Sequence, residues 1–89
     1  MPIRDFDDPE YKQWRTAVYK RDNFTCRMCG AKKKLNAHHI KPWAWYPTLR
    51  FVVANGITLC YSCHKKVTGH EEQFEGLFQT MIKPDLHIQ

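Results

Sequence analysis

The chain has 89 residues and a formal net charge of +5 at pH 7, with 14 lysines and arginines against 9 aspartates and glutamates. This length predicts one domain over residues 1–89. Without an apolar run that resembles a signal peptide or a membrane span, we expect a cytoplasmic protein. The positive charge favours an anionic partner, most simply nucleic acid, although many basic proteins bind none. A domain of this size commonly needs disulfides or a metal for stability.

The N-terminal part of the chain predicts an arm and one amphipathic helix. Residues 1–7 are expected to form a loose arm. Asp8 and Pro9 are typical of a helix start, as the capping residue and the first helical residue. A helix is therefore predicted over 9–21, and Asp22-Asn23 is expected to end it. Its apolar residues recur at helical spacing and are Tyr11, Trp14 and Val18.

Two short strands are predicted in the middle of the chain. The first covers residues 35–40, and alternate residues share one face: Leu35, Ala37 and His39. Asn55-Gly56 predicts a tight turn, and residues 57–60 predict the second strand. The segment 41–54 is too irregular for one element. Its large aromatic residues are expected to pack in the core or the loop and not to stack on bases: Trp43, Trp45 and Tyr46.

Two helices are predicted in the C-terminal part. The first carries His64 and Lys65 and is expected to stop at Gly69. The second is predicted from apolar residues at positions i, i+3, i+4 and i+7, and Pro84 is expected to end it. These apolar residues are Phe74, Leu77, Phe78 and Met81.

Two CxxC pairs predict a structural zinc site, formed by Cys26, Cys29, Cys60 and Cys63. A gap of two residues lets one backbone turn direct both sulfurs at one ion, and two such turns complete a tetrahedron. Disulfides are disfavoured in a reducing cytosol. The alternative to a zinc site is therefore four buried cysteines that bind no metal. The segment between the pairs is longer than the roughly 15–20 residues of a common zinc ribbon, which predicts an insertion.

A second set of polar residues lies in and after this insertion: His38, His39, Asn55 and His64. The zinc does not need them, because sulfur fills its four positions. If the strands pair, the two adjacent histidines point to opposite sides of the first strand. His38 and His64 could then share a second metal while His39 acts as a base. A lone histidine is more often a surface or capping residue, and His70 and His87 are assigned to that class.

Three segments of the chain resemble the HNH endonuclease family, and small phage-encoded members in particular. They are WRTAVYKRDNFTCRMCG, LNAHHIKPW and NGITLCYSCHKK. The resemblance implies a small α+β fold, in which a ββα-metal (His-Me finger) motif is supported by a four-cysteine zinc and flanked by N- and C-terminal helices. The motif core would cover residues 14–69, followed by a C-terminal helix and tail over 70–89.

The resemblance also implies a role for each member of the second polar set. His39 matches the general base, and His38 and His64 match the two ligands of a catalytic divalent ion. Asn55 matches the residue that ties the loop together and helps set the geometry around the base. The implied reaction is hydrolysis of phosphodiester bonds, leaving a 5′-phosphate and a 3′-hydroxyl.

Two positions depart from the pattern of many relatives. Some relatives carry a third metal-binding histidine one helical turn after His64, where this chain has Thr68, so water and phosphate would complete the coordination. Many relatives have aspartate at the position of His38. An imidazole pair favours softer ions than a carboxylate does, so activity is predicted with Mn²⁺, Co²⁺, Ni²⁺ or Zn²⁺ alongside or above Mg²⁺.

The implied substrate is double-stranded DNA, which would be nicked or cleaved. In relatives the helix of the motif docks in the minor groove, which would bring Lys65 and Lys66 near phosphates. The lysines of 32–34 predict a solvated turn, with phosphate contact as the alternative. Nothing resembles an array of base-reading side chains, so weak sequence specificity is predicted.

Two other functions stay open at this point. One is a zinc-ribbon nucleic-acid-binding module without catalysis, and the other is an adaptor in a protein complex. For a phage-encoded protein, the resemblance implies a part in genome packaging with terminase subunits as partners.

Overall fold

A two-stranded antiparallel sheet with helices on both faces forms the centre of the protein. The computed structural model describes residues 6–82. The elements are α1 (Pro9–Arg21), β1 (Leu35–His39), β2 (Gly56–Cys60), α2 (Tyr61–Val67) and α3 (Glu71–Met81), with 3-10 turns at Pro47–Leu49 and Val53–Asn55. The predicted small α+β fold is therefore confirmed, and β1, β2 and α2 follow one another in the ββα order.

Helix α1 begins and ends where the sequence predicts. The Asp8 side chain accepts a hydrogen bond from the Glu10 N–H at 2.8 Å, which satisfies a main-chain donor left open at the helix start. Asp22 occupies the C-cap position. The indole N–H of Trp14 donates to the Val52 carbonyl at 2.8 Å, which attaches the loop before β2 to this helix. The buried residues of α1 are the predicted Tyr11, Trp14 and Val18.

The strands pair over five residues each, with His39 opposite Gly56. Strand β1 ends one residue earlier, and β2 begins one residue earlier, than predicted. The expected tight turn at Asn55-Gly56 is wrong, because Asn55 ends a 3-10 turn and Gly56 already has extended backbone. The strands are instead joined by the whole segment 40–55.

Gly56 is required by the close packing of α1 on β2. A Cβ atom at this position would lie 2.6 Å from Trp14 Cζ2 and 2.6 Å from Val18 Cγ2. Two residues further on, the Thr58 hydroxyl donates to the Val18 carbonyl at 3.4 Å. Helix α1 therefore lies directly on the backbone of β2, and a larger residue at position 56 would displace it.

The two faces of the sheet carry separate apolar clusters. Toward α1 the cluster consists of Tyr11, Trp14 and Val18, with Ala37 packed against it. On the other face a larger cluster includes Ile57, Leu59, Val67, Phe78 and three of the cysteines. The predicted common face of β1 holds for Ala37 and His39, which both contact the α1 side. Leu35 lines a cavity together with Ala37 and residues of α1, and it also packs against the larger cluster at the end of the hairpin where it pairs with Cys60.

A buried carboxylate joins α1, the first cysteine pair and β2. The fully buried Asp22 side chain accepts hydrogen bonds from Arg21 and Arg27, both at 2.7 Å, and from the Thr58 N–H at 2.9 Å. Burial opposes ionisation of this carboxyl, but the hydrogen bonds outweigh burial and hold the pKa of Asp22 below its usual value. Arg27 also donates to the Met81 carbonyl at 2.7 Å, so the network reaches the end of α3.

The C-terminal helices match their predicted places. Gly69 has a φ of +88°, a left-handed conformation that commonly follows a helix end, and α2 stops just before it. Of the four predicted apolar residues of α3, Phe78 is buried, Phe74 and Met81 pack against the larger cluster, and Leu77 is exposed. Predictions for residues 1–5, Pro84 and His87 lie outside the described residues. No helix within 6–82 combines the length and apolar character needed to cross a membrane.

Candidate active site

The four cysteines meet in one cluster. Their Sγ atoms all lie within 4.8 Å of one another, and those of Cys29 and Cys60 are 3.5 Å apart. A tetrahedral zinc with Zn–S bonds of ~2.3 Å sets its sulfurs about 3.8 Å apart, so the cluster fits this ion. All cysteines except Cys29 are buried. The arrangement suits a structural zinc that leaves no coordination position for a substrate.

Main-chain hydrogen bonds shape the first cysteine turn. The Cys26 N–H donates to the Ala31 carbonyl at 2.7 Å, and the Gly30 N–H donates to the Cys26 carbonyl at 2.9 Å. Gly30 has a φ of +84°, which a glycine adopts without steric cost. The Arg27 N–H donates to the Thr58 carbonyl at 2.9 Å, so this turn is attached to the strand that leads into the second cysteine pair.

The thiols of the cluster differ in acidity. Burial opposes ionisation of Cys26, yet hydrogen bonds from main-chain N–H groups of the cluster outweigh it and lower the pKa of this thiol to about 6. Burial, reinforced by the neighbouring sulfurs, raises the pKa of Cys63. Zinc binds thiolates, so loading the cluster with metal would release the protons that the thiols still hold.

A second site, called here the histidine cavity, opens beside β1 and α2. It has a volume of about 290 Å³ and brings together all three histidines of the predicted polar set. Its walls are Ala37, His38, His39, Pro42, Trp43, Ala44, His64, Thr68 and Glu71. The sequence expectation that these histidines share one site therefore agrees with the geometry, although Asn55 is not part of the wall.

His38 of β1 and His64 of α2 lie close together in this cavity. Their ring centroids are 5.5 Å apart, with planes at 69°. His38 is buried and meets Phe78 edge-on, with centroids 5.7 Å apart, and its Nε2 atom is buried. Given metal–nitrogen bonds of about 2.1 Å, two rings at this separation can share one ion. The pair therefore fits a divalent metal.

His39 lies on the α1 side of β1. Its buried ring stacks on Trp14, with centroids 4.0 Å apart and planes at 11°. The Nε2 atom lies 2.9 Å from the main-chain carbonyl oxygen of Arg50. Because a carbonyl only accepts hydrogen bonds, Nε2 carries the proton and Nδ1 is the basic nitrogen of the neutral ring. The stacking and the hydrogen bond thus fix both the orientation and the tautomer of His39.

Asn55 closes the loop that joins the strands. Its Oδ1 accepts from the Lys41 N–H at 2.9 Å, and its Nδ2 donates to the Leu49 carbonyl at 3.3 Å. Its own carbonyl accepts from the Ile40 N–H at 2.9 Å. These contacts hold the two ends of the loop together. Leu49 directly precedes Arg50, so the Asn55 amide also helps to position the Arg50 carbonyl that orients His39.

An arginine and a tryptophan organise the interior of the same loop. Arg50 Cζ lies 3.6 Å from the ring centroid of Trp43, and Arg50 Nε donates to the Trp43 carbonyl at 2.7 Å. Trp45 is 76% exposed, so the prediction that it packs in the core or the loop is wrong. The Trp45 N–H donates to the Pro42 carbonyl, and this turn leaves the indole on the outer surface.

The predicted phosphate-contacting lysines and the capping histidine lie on the surface. Lys65 and Lys66 are exposed on α2, and residues 32–34 form an exposed turn. His70 is exposed at the N-cap position of α3, away from the walls of the histidine cavity, and makes no capping hydrogen bond through its side chain. This position agrees with its assignment as a surface or capping residue.

Glu71 is a wall residue that the sequence did not identify. It begins α3, and its Oε1 accepts a hydrogen bond from the Gly69 N–H at 3.1 Å. The neighbouring Thr68 is occupied differently, since its hydroxyl donates to the His64 carbonyl at 2.8 Å. The sequence signal that could have identified Glu71 is its place two residues after Gly69, the glycine that ends α2. The direction of α3, which brings Glu71 to the cavity, could not be read from the sequence.

A comparison with protein families gives a match over the centre of the chain. No curated protein sequence matches the chain. The matched segment, residues 26–69, contains the four cysteines, the three cavity histidines and Asn55, and the matching family is described as HNH endonuclease.

Proposed function

The chain belongs to the HNH endonuclease family through residues 26–69, and on this basis we propose that it is a metal-dependent endonuclease acting on DNA. The family supports a nuclease-type function in general. We further propose that the protein nicks or cleaves double-stranded DNA with weak sequence specificity. The observation that carries the proposal is the orientation of His39, whose ring is fixed by Trp14 and the Arg50 carbonyl in the cavity that also holds His38 and His64.

His38 and His64 would hold the catalytic ion. Their rings lie 5.5 Å apart in the histidine cavity, and the cysteines form a separate cluster that suits zinc. A divalent ion bound there would supply positive charge where negative charge develops on the phosphate and on the leaving oxygen. The two histidines would then orient the scissile phosphate in the cavity.

His39 would act as the general base. Its Nδ1 removes a proton from water, the water oxygen attacks phosphorus, and the bond from phosphorus to the 3′ oxygen breaks. The departing 3′ oxygen takes a proton from solvent, so the products are a 5′-phosphate and a 3′-hydroxyl. The Arg50 carbonyl accepts from Nε2–H throughout and stabilises the positive charge that the ring gains. Asn55 contributes indirectly, because it holds the loop that positions this carbonyl.

Glu71 is our candidate for a third protein ligand, in place of the histidine that some relatives have at the position of Thr68. Its carboxylate belongs to the same cavity wall as the two imidazoles. Its oxygens and the ring nitrogens are not all within 4.8 Å of one another, so the side chain has to rotate away from the Gly69 N–H to bind the same ion. An oxygen ligand would also make the site more hospitable to Mg²⁺ than two imidazoles alone.

The exposed lysines of α2 would contact the DNA backbone. Lys65 and Lys66 follow the metal-binding position directly on the same helix. Positive side chains beside the cavity would attract duplex DNA without reading its sequence. Weak sequence specificity follows from this mode of binding.

The central experiment is relaxation of supercoiled plasmid by the zinc-loaded protein across a metal panel. We expect cleavage with Mn²⁺, Co²⁺, Ni²⁺ or Zn²⁺ at rates equal to or above the rate with Mg²⁺. The variant His39→Ala should lose cleavage, whereas His70→Ala is the matched control because His70 is exposed outside the cavity. A plasmid that stays intact with every metal would contradict the enzymatic proposal. Activity with Mg²⁺ alone would contradict the metal preference.

The second candidate is a zinc-ribbon nucleic-acid-binding or adaptor module without catalysis. It is favoured by the completeness of the cysteine cluster, which needs none of the histidines. This candidate predicts an intact plasmid, with salt-dependent DNA binding for the ribbon and little salt dependence for the adaptor. A phage origin and a part in genome packaging beside terminase subunits stay predictions from the resemblance.

A further inference from the structure

A second cavity continues from the histidine cavity along β1. It has a volume of about 380 Å³, and Ala37 and His64 belong to the walls of both cavities. Its other walls come from residue 6, from α1 and from the first half of β1: Phe6, Tyr11, Arg15, Tyr19, Leu35 and Asn36. The two cavities therefore adjoin at Ala37 and at the predicted metal ligand His64, and the second one is called here the groove.

Arg15 supplies the positive charge of this second cavity. Among residues 6–82, no acidic side chain lines it. The Arg15 side chain is half-buried, and its Cζ atom lies 5.5 Å from the ring centroid of Tyr11, so the aromatic ring supports the guanidinium. The Arg15 guanidinium therefore lies at this cavity beside an aromatic ring, and no described wall residue offers it a carboxylate.

The other arginines of the described chain are occupied by the protein. Arg21 and Arg27 bind Asp22, and Arg50 donates to the Trp43 carbonyl. Within residues 6–82, Arg15 is the arginine whose guanidinium has neither an ion pair nor a hydrogen bond to the protein. Residues 6–82 therefore engage none of its five N–H donors, and two such donors can bind one phosphate side by side.

We propose that this cavity binds a backbone phosphate of the same nucleic-acid strand that is cut in the histidine cavity, at a position close to the scissile phosphate. The position relative to the cut rests on the proposed function, but the binding itself does not. The strand would lie along β1, with one phosphate at the His38–His64 pair and a neighbouring one at Arg15. Binding two phosphates of one strand fixes the direction in which the scissile bond crosses the cavity.

The first test measures binding without cleavage. A short fluorescein-labelled DNA duplex is titrated with His39→Ala protein, with and without Arg15→Ala, at several salt concentrations. We expect Arg15→Ala to weaken binding about tenfold and to lower the slope of log affinity against log salt by about one. Arg15→Lys should keep the slope and lose affinity several-fold, because it retains the charge but not the paired donors.

Lys20→Ala is the matched control for this titration. Lys20 is an exposed cation on the same helix, outside the groove. The proposal is wrong if Arg15→Ala and Lys20→Ala weaken binding equally. Circular dichroism and zinc content check that each variant is folded. If Arg15→Ala does not fold, the comparison of Arg15→Lys with the parent replaces it.

The second test locates the phosphate. The phosphates of one strand of a short duplex, which is long enough for only one binding position, are replaced one at a time by uncharged methylphosphonates. We expect one replacement close to the cut to weaken binding to the Arg15 protein and to have no further effect on Arg15→Ala. Competition by free inorganic phosphate, with no position-dependent coupling, would show an anion site that does not contact the backbone and would overturn the proposal.

The two tests separate this proposal from the proposed function. If the parent never cuts plasmid but Arg15 is coupled to one phosphate in a duplex, the nuclease proposal fails and the phosphate site stands. If the parent cuts and no phosphate is coupled to Arg15, the phosphate site fails and the nuclease proposal stands.

Discussion

The cysteine cluster and the histidine cavity are two candidate metal centres with opposite arrangements. The cluster has four sulfurs within 4.8 Å of one another, which fill a tetrahedron. The cavity has two facing imidazoles beside about 290 Å³ of open space. Cys63 and His64 are neighbours on α2, so a metal that fixes the first residue also fixes the direction of the second. The cysteine cluster would thus stabilise the fold, and the fold in turn orients His64 in the histidine cavity.

The largest effect is expected from breaking the closed site. Cys60→Ser should leave the chain largely unfolded, because zinc binding in such domains contributes roughly 10–16 kcal/mol that is coupled to folding. Circular dichroism and zinc content measure the loss. Ser62→Ala is the control, since Ser62 is exposed in the same turn between two ligands. A folded, zinc-free and active Cys60→Ser protein would show that the two sites do not depend on each other.

The next effect is confined to the open site. His39→Ala should slow plasmid cleavage by about 10²–10⁴-fold, the usual contribution of a general base. Its zinc content should equal that of the parent. The fold of this variant should stay largely intact. Loss of the stacking on Trp14 should lower its free energy of unfolding by about 1–3 kcal/mol. Loss of zinc from this variant would contradict the separation of the two sites.

A third change tests whether the region around the closed site depends on more than metal. Asp22→Asn should lower the free energy of unfolding by about 2 kcal/mol near neutral pH, less than for a fully buried pair because both arginines are partly exposed. The pKa of Asp22 is depressed in the folded protein. Its contribution is therefore present above the unfolded value of about 3.9 and disappears as the pH falls through the folded value.

Chemical denaturation of parent and Asp22→Asn across acid pH measures this dependence. The difference in unfolding free energy between the two proteins should shrink toward zero in acid. Both proteins release zinc in acid, and this shared effect cancels in the difference. Asp7→Asn is the control, since that side chain is 96% exposed. A difference that stays constant with pH would mean that the carboxylate charge is not what stabilises this network.

The smallest effect sharpens the description of the open site. Glu71→Gln should weaken Mn²⁺ binding, measured by electron paramagnetic resonance without DNA, by about tenfold. Glu72→Gln is the matched control, because it removes the same charge one residue along the helix but does not line the cavity. Equal losses in both variants would indicate a general charge effect and would remove Glu71 from the ligand set.

Elements with a repeating pattern could be predicted from the sequence, and the loop between the strands could not. The boundaries of α1 follow from Asp8, Pro9 and helical spacing, and the zinc cluster follows from the CxxC pairs. The segment 40–55 has no period, because its conformation comes from single contacts such as the Asn55 amide bonds. The exposure of Trp45 depends on that conformation and was therefore missed.

Residues brought to the site by tertiary packing were also beyond the sequence. Glu71 reaches the histidine cavity through the direction of α3, and Arg15 reaches the neighbouring groove through the packing of α1 on the sheet. Neither belongs to a local motif. The placement of His38 beside His64, with His39 toward α1, was foreseeable because adjacent strand residues point to opposite faces and His64 follows the second cysteine pair directly.

The oxygen that holds the His39 ring belongs to the main chain of residue 50, and this has a consequence for mutagenesis. Alanine scanning removes side chains and leaves every peptide group in place, so it would overlook this partner. Main-chain changes, such as an ester bond in place of an amide or a change in loop length, would reveal how much the orientation of His39 depends on this oxygen.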